Sequence, residues 1–385
     1  MNRGTFKQMK STNKSLILNN IRQCDVTSRA QIAKDTSLTP PTVSAIVKEL
    51  IESNLVMETE ELGASQGGRK PKLLKINHSG HHIFGLDVSS QRVLGIITDL
   101  NGKILFEEEI TLPRPIDNTK FLECMMQIID TLFTYSKKNK VLGIGIAMHG
   151  IVNSEDGVAI FAPNLNLKNI PLKEILEDKY EVKVKVENDV RSMVLGEVWF
   201  NGNESFQNLV LINLGSGVGS GVIMDGKLIR GSQGLAGEFG HMIVNIHEGI
   251  KCDCGNYGCI ETLISGMAIE KKAKAKKLIE EKESAKQLRQ LADKGNKEAK
   301  QIFEEVGLVL GIGITNLIHL INPDKIILSG GISNANEYFL PKVKEIIHRS
   351  EMISQVGETL IEVSTFKQNA ASLGACALFL EELYK

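Results

Sequence analysis

The sequence is poor in aromatic residues and in cysteine, and we expect no apolar run long enough to cross a bilayer. Of its 385 residues, 5% are aromatic, six are cysteine and one is tryptophan. The basic start MNRGTFKQMKSTNKS is not followed by an apolar core, so we expect no secretory signal. These features argue against a membrane protein and against a disulfide-rich secreted domain. They predict a cytoplasmic protein with two or three globular domains.

The charge of the chain is unevenly distributed. Residues 1–75 hold twelve Lys and Arg against seven Asp and Glu, whereas the whole chain has a formal net charge of −1. A basic segment attached to an acidic remainder suggests a polyanionic partner. Scattered surface charge is nevertheless the simpler explanation of the balance taken alone.

The pattern within the basic segment is more specific than its charge. Residues 13–21 predict a first helix, and Ser28-Arg29-Ala30-Gln31 fits a capping box that begins a second short helix. Thr39 as N-cap and Pro40 at the first helical position predict a third helix. The apolar residues of this third helix recur with helical spacing on one face: Val43, Ile46, Val47, Leu50 and Ile51.

The opposite face of the third helix carries short polar or basic side chains that suit DNA. Two strands, 56–60 and 72–76, flank a polar tip, GASQGGRKP, so residues 1–76 predict a winged helix-turn-helix domain. A helical protein-interaction module with a flexible hairpin is the alternative. The predicted DNA contacts are Ser28, Arg29, Pro41, Thr42, Ser44, Ala45 and Lys48, with Arg69 and Lys70 on the tip.

The remainder of the chain contains an internal repeat. Residues 82–105 and 209–229 each read as two apolar strands joined by a polar loop and followed by a turn, at 101–103 and at 225–227. Helical stretches and a further short apolar strand follow each copy. The repeat predicts two similar α/β lobes, residues 77–198 and 199–385, with a ligand site between them.

The loop LGSGVGSG at 214–221 superficially resembles a dinucleotide-binding fingerprint. It departs from that fingerprint because Ser220 stands where glycine is required and because a strand, not a helix, follows. Such a loop can present backbone amides to a phosphate or sugar, or it can be an ordinary tight turn.

Three of the six cysteines, Cys252, Cys254 and Cys259, fall within eight consecutive positions. In a reducing compartment, clustered cysteines are more often metal ligands than disulfide partners, and buried inert thiols are the alternative.

Several motifs together resemble the ROK family, which groups sugar kinases with sugar-responsive repressors on the actin/hexokinase-like (ribonuclease H-like) fold. The resemblance covers nearly the whole chain. It rests on the winged helix-turn-helix pattern and on PNL at 163–165, END at 187–189, Gly215–Gly221, GLAGEFGH at 234–241, CDCGNYGCIE at 252–261 and SGG at 329–331.

The resemblance implies a zinc site and a sugar site. The resemblance implies that Zn²⁺ is bound by His241, Cys252, Cys254 and Cys259. Three thiolates and one imidazole suit a closed tetrahedral site. In the family's kinases the residue at Asp189 is the general base, although such a carboxylate can equally just hold a sugar hydroxyl. The implied sugar-binding residues are Asn164, Asn188, Asp189, Glu238, His241 and Glu261.

One departure from the family pattern favours a repressor over an enzyme. Family kinases carry glycines after the first strand's aspartate, whereas here Asp87 is followed by Val88, Ser89, Ser90 and Gln91, whose side chains would obstruct a phosphate. The alternative is an ATP-dependent sugar kinase with an appended DNA-binding domain. We expect a homodimer or homotetramer on a palindromic double-stranded operator, a monosaccharide effector such as xylose or glucose, and no membrane partner.

Overall fold

The computed structural model describes residues 6–62, 71–203, 205–247, 249–357 and 359–384. The chain forms two compact units. The first comprises Met1–Glu187 together with Ala375–Lys385, and the second comprises Asn188–Gly374. The expected division into three domains, with boundaries at 76/77 and 198/199, stays a prediction about which segments fold independently.

The N-terminal part of the first unit is a winged helix-turn-helix domain, as predicted. Its three-stranded sheet has the order β1-β3-β2. The elements are α1 (Phe6–Gln23), β1 (Thr27–Ser28), α2 (Arg29–Thr36), α3 (Pro40–Glu52), β2 (Val56–Leu62) and β3 (Lys72–Ile76). The first helix is longer than the sequence pattern suggested, because it begins at Phe6 and not near residue 13.

The predicted N-caps begin α2 and α3, but the capping box predicted at α2 forms only in part, because the Gln31 side chain bonds Asp35 and not the Ser28 backbone. The Ser28 hydroxyl accepts a hydrogen bond from the Gln31 backbone N–H at 3.2 Å, while the Gln31 side-chain amide donates to Asp35 at 2.6 Å. Thr39 caps α3, with Pro40 at its first position. Four of the five predicted core residues of α3 are buried, and Ile51 is half-buried. The helix-turn-helix therefore follows from local capping chemistry plus one apolar stripe.

The rest of the first unit is built on a five-stranded sheet of order β11-β7-β4-β5-β6, with a smaller sheet of order β10-β9-β8. Its strands are β4 (His82–Val88), β5 (Arg92–Thr98), β6 (Ile104–Thr111), β7 (Val141–Met148), β8 (Ile151–Asn153), β9 (Val158–Ala162), β10 (Leu167–Ile170) and β11 (Val184–Asn188). Its helices are α4 (Asn118–Tyr135) and α5 (Leu172–Tyr180).

The second unit is built on a five-stranded sheet of order β14-β13-β12-β15-β16. Its strands are β12 (Leu209–Leu214), β13 (Val218–Met224), β14 (Lys227–Leu228), β15 (Lys325–Ser329) and β16 (Leu360–Val363). The helices are α6 (Asp189–Phe200), α7 (Glu261–Ile264), α8 (Gly266–Ala275), α9 (Ala285–Asp293), α10 (Lys297–Ile321), α11 (Asn336–His348), α12 (Glu351–Val356) and α13 (Ala370–Tyr384), the last of which ends in the first unit.

The two five-stranded sheets have the same topology, which confirms the repeated α/β lobe. In the first, β4 pairs antiparallel with β5 and parallel with β7, and β5 pairs antiparallel with β6. In the second, β12 pairs antiparallel with β13 and parallel with β15, and β13 pairs antiparallel with β14. A strand, a loop and a hairpin therefore recur at equivalent places in both sheets.

Helix α10 contradicts one expectation from the sequence. It is long and apolar enough to cross a membrane by length and composition alone. Many of its side chains, including Phe303, Leu310 and Ile314, are buried in the core of the second unit. Core helices of soluble proteins meet the same criterion.

Candidate metal and ligand site

The predicted ligands His241, Cys252, Cys254 and Cys259 come together in the second unit, with one ligand atom from each within 4.8 Å of the others. His241 Nδ1 lies 3.5 Å from Cys252 Sγ, and Cys254 Sγ lies 3.7 Å from Cys259 Sγ. A tetrahedral ion with arms of about 2.0–2.3 Å requires ligand separations of roughly 3.5–3.8 Å. The four side chains therefore fit a metal ion of tetrahedral preference.

Two glycines let the cysteine loop turn back on itself. Gly255 and Gly258 have φ values of 97° and 75°, a region that favours glycine. A Cβ at Gly258 would overlap the Asn245 carbonyl. Backbone bridges between Ile243 and Cys259 and between Lys251 and Tyr257 hold the two sides of the loop together. The loop thus presents its sulfur atoms inward at fixed spacing.

The surroundings of the three thiols make it costly for all of them to ionise without a nearby positive charge. Burial raises the pKa of the Cys252 thiol and raises the pKa of Cys259 to about 12, whereas a hydrogen bond from the Asn256 backbone lowers the pKa of Cys254. Without a cation these sulfurs cannot all be thiolates near neutral pH. Metal binding would displace the protons and supply the compensating charge.

His241 connects the metal cluster to a group of carboxylates. It ends the short 3₁₀ turn Phe239–His241, and its Nε2 atom lies 3.9 Å from Glu238 Oε2. Its other ring nitrogen, Nδ1, faces Cys252. A metal ion held on Nδ1 would fix the ring and direct Nε2 toward Glu238.

The start of α6 supplies a second pair of predicted sugar-binding residues. Asn188 caps this helix, and its Oδ1 atom accepts from the backbone N–H groups of Val190 and Arg191 at 3.0 and 3.1 Å. Its side-chain amide donates to Asp189 Oδ1 at 2.9 Å. The cap therefore orients the Asp189 carboxylate at the helix terminus.

Three carboxylates lie near one another in the second unit. Loss of surrounding water raises the pKa of Glu238, the charges of His241 and Arg191 oppose that shift, and the charges of Asp189 and Glu261 add to it. The charges of Asp189, His241 and Glu261 thus all act on Glu238, and the binding of a sugar by these residues stays a prediction.

Glu261 has a contact that the sequence did not reveal. Its Oε2 atom accepts a hydrogen bond at 2.8 Å from the backbone N–H of Val218, at the end of the glycine-rich loop. A Cβ added at Gly217 would lie 2.6 Å from the same oxygen. One carboxylate oxygen thus ties the glycine-rich loop to the ligand residues.

Arg191 is a functional candidate that sequence reasoning missed. It lies on α6, is only 3% exposed, and its charge lowers the pKa of Glu238. Its position two residues after Asp189 was the only available signal. A buried cation beside three carboxylates offsets part of their mutual repulsion.

Asn164, the remaining predicted sugar residue, lies in the first unit. Its side-chain amide contacts His149 Nε2 at 3.1 Å, and its carbonyl accepts from Arg114 at 2.7 Å. Arg114 also donates to the Ser90 carbonyl. Asn164 is exposed, and its role stays a prediction.

The loop after Asp87 is closed by its own serine. The Ser89 hydroxyl accepts from the backbone N–H groups of Gln91 and Arg92 at 3.3 and 3.2 Å. The Ser89 N–H in turn donates to the Arg92 carbonyl at 3.0 Å. Backbone amides that could face a phosphate are therefore committed inside the turn.

The predicted DNA-contacting residues of α3 lie on its outer face. Pro41, Ser44, Ala45 and Lys48 are exposed, and Thr42 is half-exposed. Ser28 and Arg29 lie at the start of α2. Arg69 and Lys70 lie outside the described residues, so their contribution to DNA binding stays a prediction.

Comparison with known proteins identifies the family to which the chain is similar. The ROK family profile matches residues 83–382, and a winged helix-turn-helix DNA-binding profile matches residues 11–57. The chain is 32% identical over 393 residues to a xylose repressor of Caldicellulosiruptor bescii, covering 99% of this chain and 98% of that protein.

Two solved structures show the same fold. A ROK family transcriptional regulator, described as a homolog of the Escherichia coli MLC protein, superposes with a TM-score of 0.87 at 28% identity, covering 98% of this chain and 97% of that one. A ROK family glucokinase from Streptomyces griseus, bound to glucose and AMPPNP, gives a TM-score of 0.68 at 26% identity, covering 77% of this chain and 98% of that one. With both parts matched along nearly its full length, the chain belongs to the ROK family.

Proposed function

We propose that this chain is a sugar-responsive transcriptional repressor of a carbohydrate-utilisation operon. The observation that carries the proposal is the union, in one chain, of a winged helix-turn-helix domain with a ROK body. The xylose repressor of C. bescii has the same extent, since the match covers 99% of this chain and 98% of that protein. The glucokinase aligns with only 77% of this chain.

The proposed effector site is the group of polar side chains around the start of α6. Asp189, Glu238 and Glu261 offer acceptors, and Asn188 and His241 offer both donors and acceptors, to the hydroxyls of a monosaccharide. Asn164, in the first unit, stays a separate prediction. Xylose is the first sugar to test, because the relative named above is a xylose repressor.

We further propose that the chain does not transfer phosphate. Phosphoryl transfer depends on backbone and cationic groups that cradle the nucleotide phosphates. In the loop after Asp87, the Ser89 hydroxyl already accepts from the N–H groups of Gln91 and Arg92, and the Arg92 carbonyl accepts from the Ser89 N–H. Asp189 is accordingly assigned the role of holding a sugar hydroxyl, not of deprotonating it for attack.

Zinc is the metal we assign to the cluster of His241 and three cysteines. Its ligand set of three sulfurs and one nitrogen matches structural zinc sites, which leave no open coordination position. Bound zinc would supply rigidity there. His241 would then hold Glu238 in place through its free nitrogen.

Repression requires the chain to recognise operator DNA, and we place it in the cytoplasm as a homodimer or homotetramer. Helix-turn-helix proteins bind two half-sites about 10 base pairs apart, so the operator should be palindromic. The sugar must bind the DNA-free state better than the DNA-bound state, since only that difference can release the operator. Linkage then requires operator DNA to weaken sugar binding by the same factor, typically about 5–150-fold.

The proposal is tested with the full-length protein and an operator selected from random DNA. Fluorescence anisotropy would follow operator binding while xylose, glucose and other monosaccharides are added in turn. Xylose or another single sugar should release the operator, and Asp189→Asn should bind the operator normally but resist release. If no sugar in the panel binds, or if sugar affinity is the same with and without operator, the sugar-responsive repressor proposal is wrong.

The kinase alternative has its own measurement. ADP formation should be absent when ATP and the sugar that releases the operator are supplied together. Turnover at an ordinary enzymatic rate, on the order of 1 per second, would overturn the assignment of Asp189 as a binding residue only.

A further inference from the structure

Three charged side chains meet at the base of the wing, on residues from three different elements. Arg29 Nη2 lies 3.0 Å from Glu58 Oε1, and Lys72 Nζ lies 2.5 Å from Glu58 Oε2. Arg29 is the first residue of α2, Glu58 lies on β2 and Lys72 begins β3. One carboxylate therefore holds two cations at the same place.

The strand register explains why these side chains converge. On one side of β3, Ser28 pairs with Leu73, so the next residue, Arg29, continues this register toward Lys72. On the other side of β3, Glu58 pairs with Leu74. Lys72 and Leu74 are two residues apart on one strand, and alternate residues of a strand share a face. The two cations and the carboxylate thus lie along one face of the wing.

Fold stability does not account for the cluster. Lys72 is 60% exposed, and exposed ion pairs contribute little to stability, while the Arg29–Glu58 pair is partly buried at 32% and 29% exposure. Hydrogen bonds from Lys72 and Arg29 hold the pKa of Glu58 below its usual value, so the carboxylate is ionised near neutral pH. Two cations and one anion leave the cluster with a net positive charge.

The cluster joins the two parts of a winged helix-turn-helix that face the DNA backbone. While the recognition helix lies in the major groove, the preceding helix crosses the sugar-phosphate backbone. Arg29 lies at the start of that preceding helix, and Lys72 lies on the wing. An arginine has five N–H donors and a lysine has three, so each can keep its bond to Glu58 and still donate to another oxygen.

Building on the operator binding proposed above, we propose that Arg29 and Lys72 together bind a single phosphate group of the operator backbone, and that Glu58 is the positioning residue that holds them together beforehand. A phosphate with several oxygens can accept from both cations at once. Because the pair is assembled before DNA arrives, less side-chain freedom is lost on binding. The anion between them keeps the two like charges from repelling each other apart.

Salt-dependent operator binding tests the shared phosphate. The slope of log affinity against log salt changes by about 0.9 for each phosphate no longer neutralised. Arg29→Ala and Lys72→Ala should each weaken operator binding, and the double variant should reduce the slope by about 0.9, because one phosphate is lost in total. A reduction of about 1.8 in the double variant would mean two separate phosphates, and an unchanged slope would remove the cluster from the interface; either result overturns the proposal.

Lys75→Ala is the matched control. It removes the same charge from the same strand, but Lys75 points to the opposite face from Lys72. It should change operator affinity and slope less than Lys72→Ala does, and an equal effect would show that only the general charge of the wing matters. Thermal unfolding of every variant should match the wild type, so a lowered affinity is not a folding defect.

Glu58→Gln tests the positioning role. It removes the anion without removing a phosphate contact, so affinity for random DNA should rise because the wing is more positive. The ratio of operator affinity to random-DNA affinity should fall, because the two cations are no longer held together. If both affinities rise equally and the ratio is unchanged, Glu58 does not position Arg29 and Lys72.

Discussion

The two repeated lobes differ in the loop that joins their first two strands. In the first lobe Ser89 folds its hydroxyl back onto the amides of Gln91 and Arg92. In the second lobe the equivalent loop keeps its glycines, and Glu261 binds the Val218 N–H at 2.8 Å. The same strand arrangement thus carries one loop whose hydrogen bonds are internal and one loop that is hydrogen-bonded to Glu261.

This difference shows that two lobes can share a strand arrangement and still carry loops with different chemistry. Strand order and pairing are the same in both lobes because the buried apolar strands determine them. The chemistry of each loop depends instead on a single side chain that occupies or releases backbone amides. A shared fold with kinases therefore does not imply their activity.

The largest effect is expected from loss of the metal cluster that supports the second loop. Cys259 is fully buried and precedes Glu261 by two residues. Cys259→Ser should abolish metal binding and destabilise the second unit by more than about 4 kcal/mol, the scale at which loss of a structural metal becomes diagnostic. Metal analysis and thermal unfolding measure both.

Cys124→Ser is the control for that change, because Cys124 is a half-buried cysteine of the first unit. The Cys124→Ser protein should bind metal as the wild type does and retain nearly all of its free energy of unfolding. A Cys259→Ser protein that retained bound metal would show that the cluster is not a metal site.

Gly217→Ala should weaken the tie between the second loop and the ligand residues. The new methyl group would lie 2.6 Å from Glu261 Oε2, so the end of the Glu261 side chain must shift and its bond to Val218 is weakened. Complete loss of a hydrogen bond to a charged group costs about 1.5–3 kcal/mol, so we expect a destabilisation no larger than this, together with a fall in sugar affinity. Titration calorimetry and chemical denaturation measure the two effects.

Gly215→Ala, in the same loop, gives the comparison for this variant. A Cβ there would meet its nearest neighbour, Asn213, at 3.4 Å, which is an ordinary contact. Sugar binding should be nearly normal. Equal losses in the two variants would indicate that the loop tolerates no side chain anywhere, whatever Glu261 does.

These effects show where sequence reasoning succeeded and where it could not. The repeated strands were predictable because continuous apolar runs and the turns around Gly102 and Gly226 are local signals. The clustering of three cysteines was visible in one short segment of the sequence, whereas the addition of His241 to them came from the family resemblance. The hydrogen bond between Glu261 and the Val218 N–H joins residues 43 positions apart, and no local sequence pattern predicts it.

Other features could not be predicted from the sequence because they too depend on contacts between distant residues or on weak local signals. The small sheet formed by β8, β9 and β10 was not predicted, because its strands are short and only some of their residues are buried. The cluster of Arg29, Glu58 and Lys72 depends on the register of two strand pairs. Burial of Arg191 depends on packing that no local pattern specifies.

The hairpin turns that follow the two loops should respond alike to substitution. Gly102 and Gly226 have φ values of 77° and 68°, where a side chain is strained. Replacing either with alanine should destabilise its lobe by about 1–2 kcal/mol, the cost of a left-handed conformation. Similar losses in denaturant unfolding would confirm that the repeat is equivalent outside its loops, whereas a loss confined to one turn would show that the lobes differ more widely.

The smallest effect is expected from Ser89→Ala in the first loop. Removing the hydroxyl frees the amides of Gln91 and Arg92, and because the loop is partly exposed, water can take their place at a cost of about 0.5–1.5 kcal/mol. The variant should still form no ADP with ATP and sugar, because Val88 and Gln91 keep side chains where close approach of a phosphate needs glycine. Ser89→Gly is the stricter version, since it also removes the Cβ. Measurable ATP turnover in either variant, with none in the wild type, would show that Ser89 alone suppresses an otherwise competent kinase. The first loop would then differ from the second because it inhibits activity, not because activity has been lost.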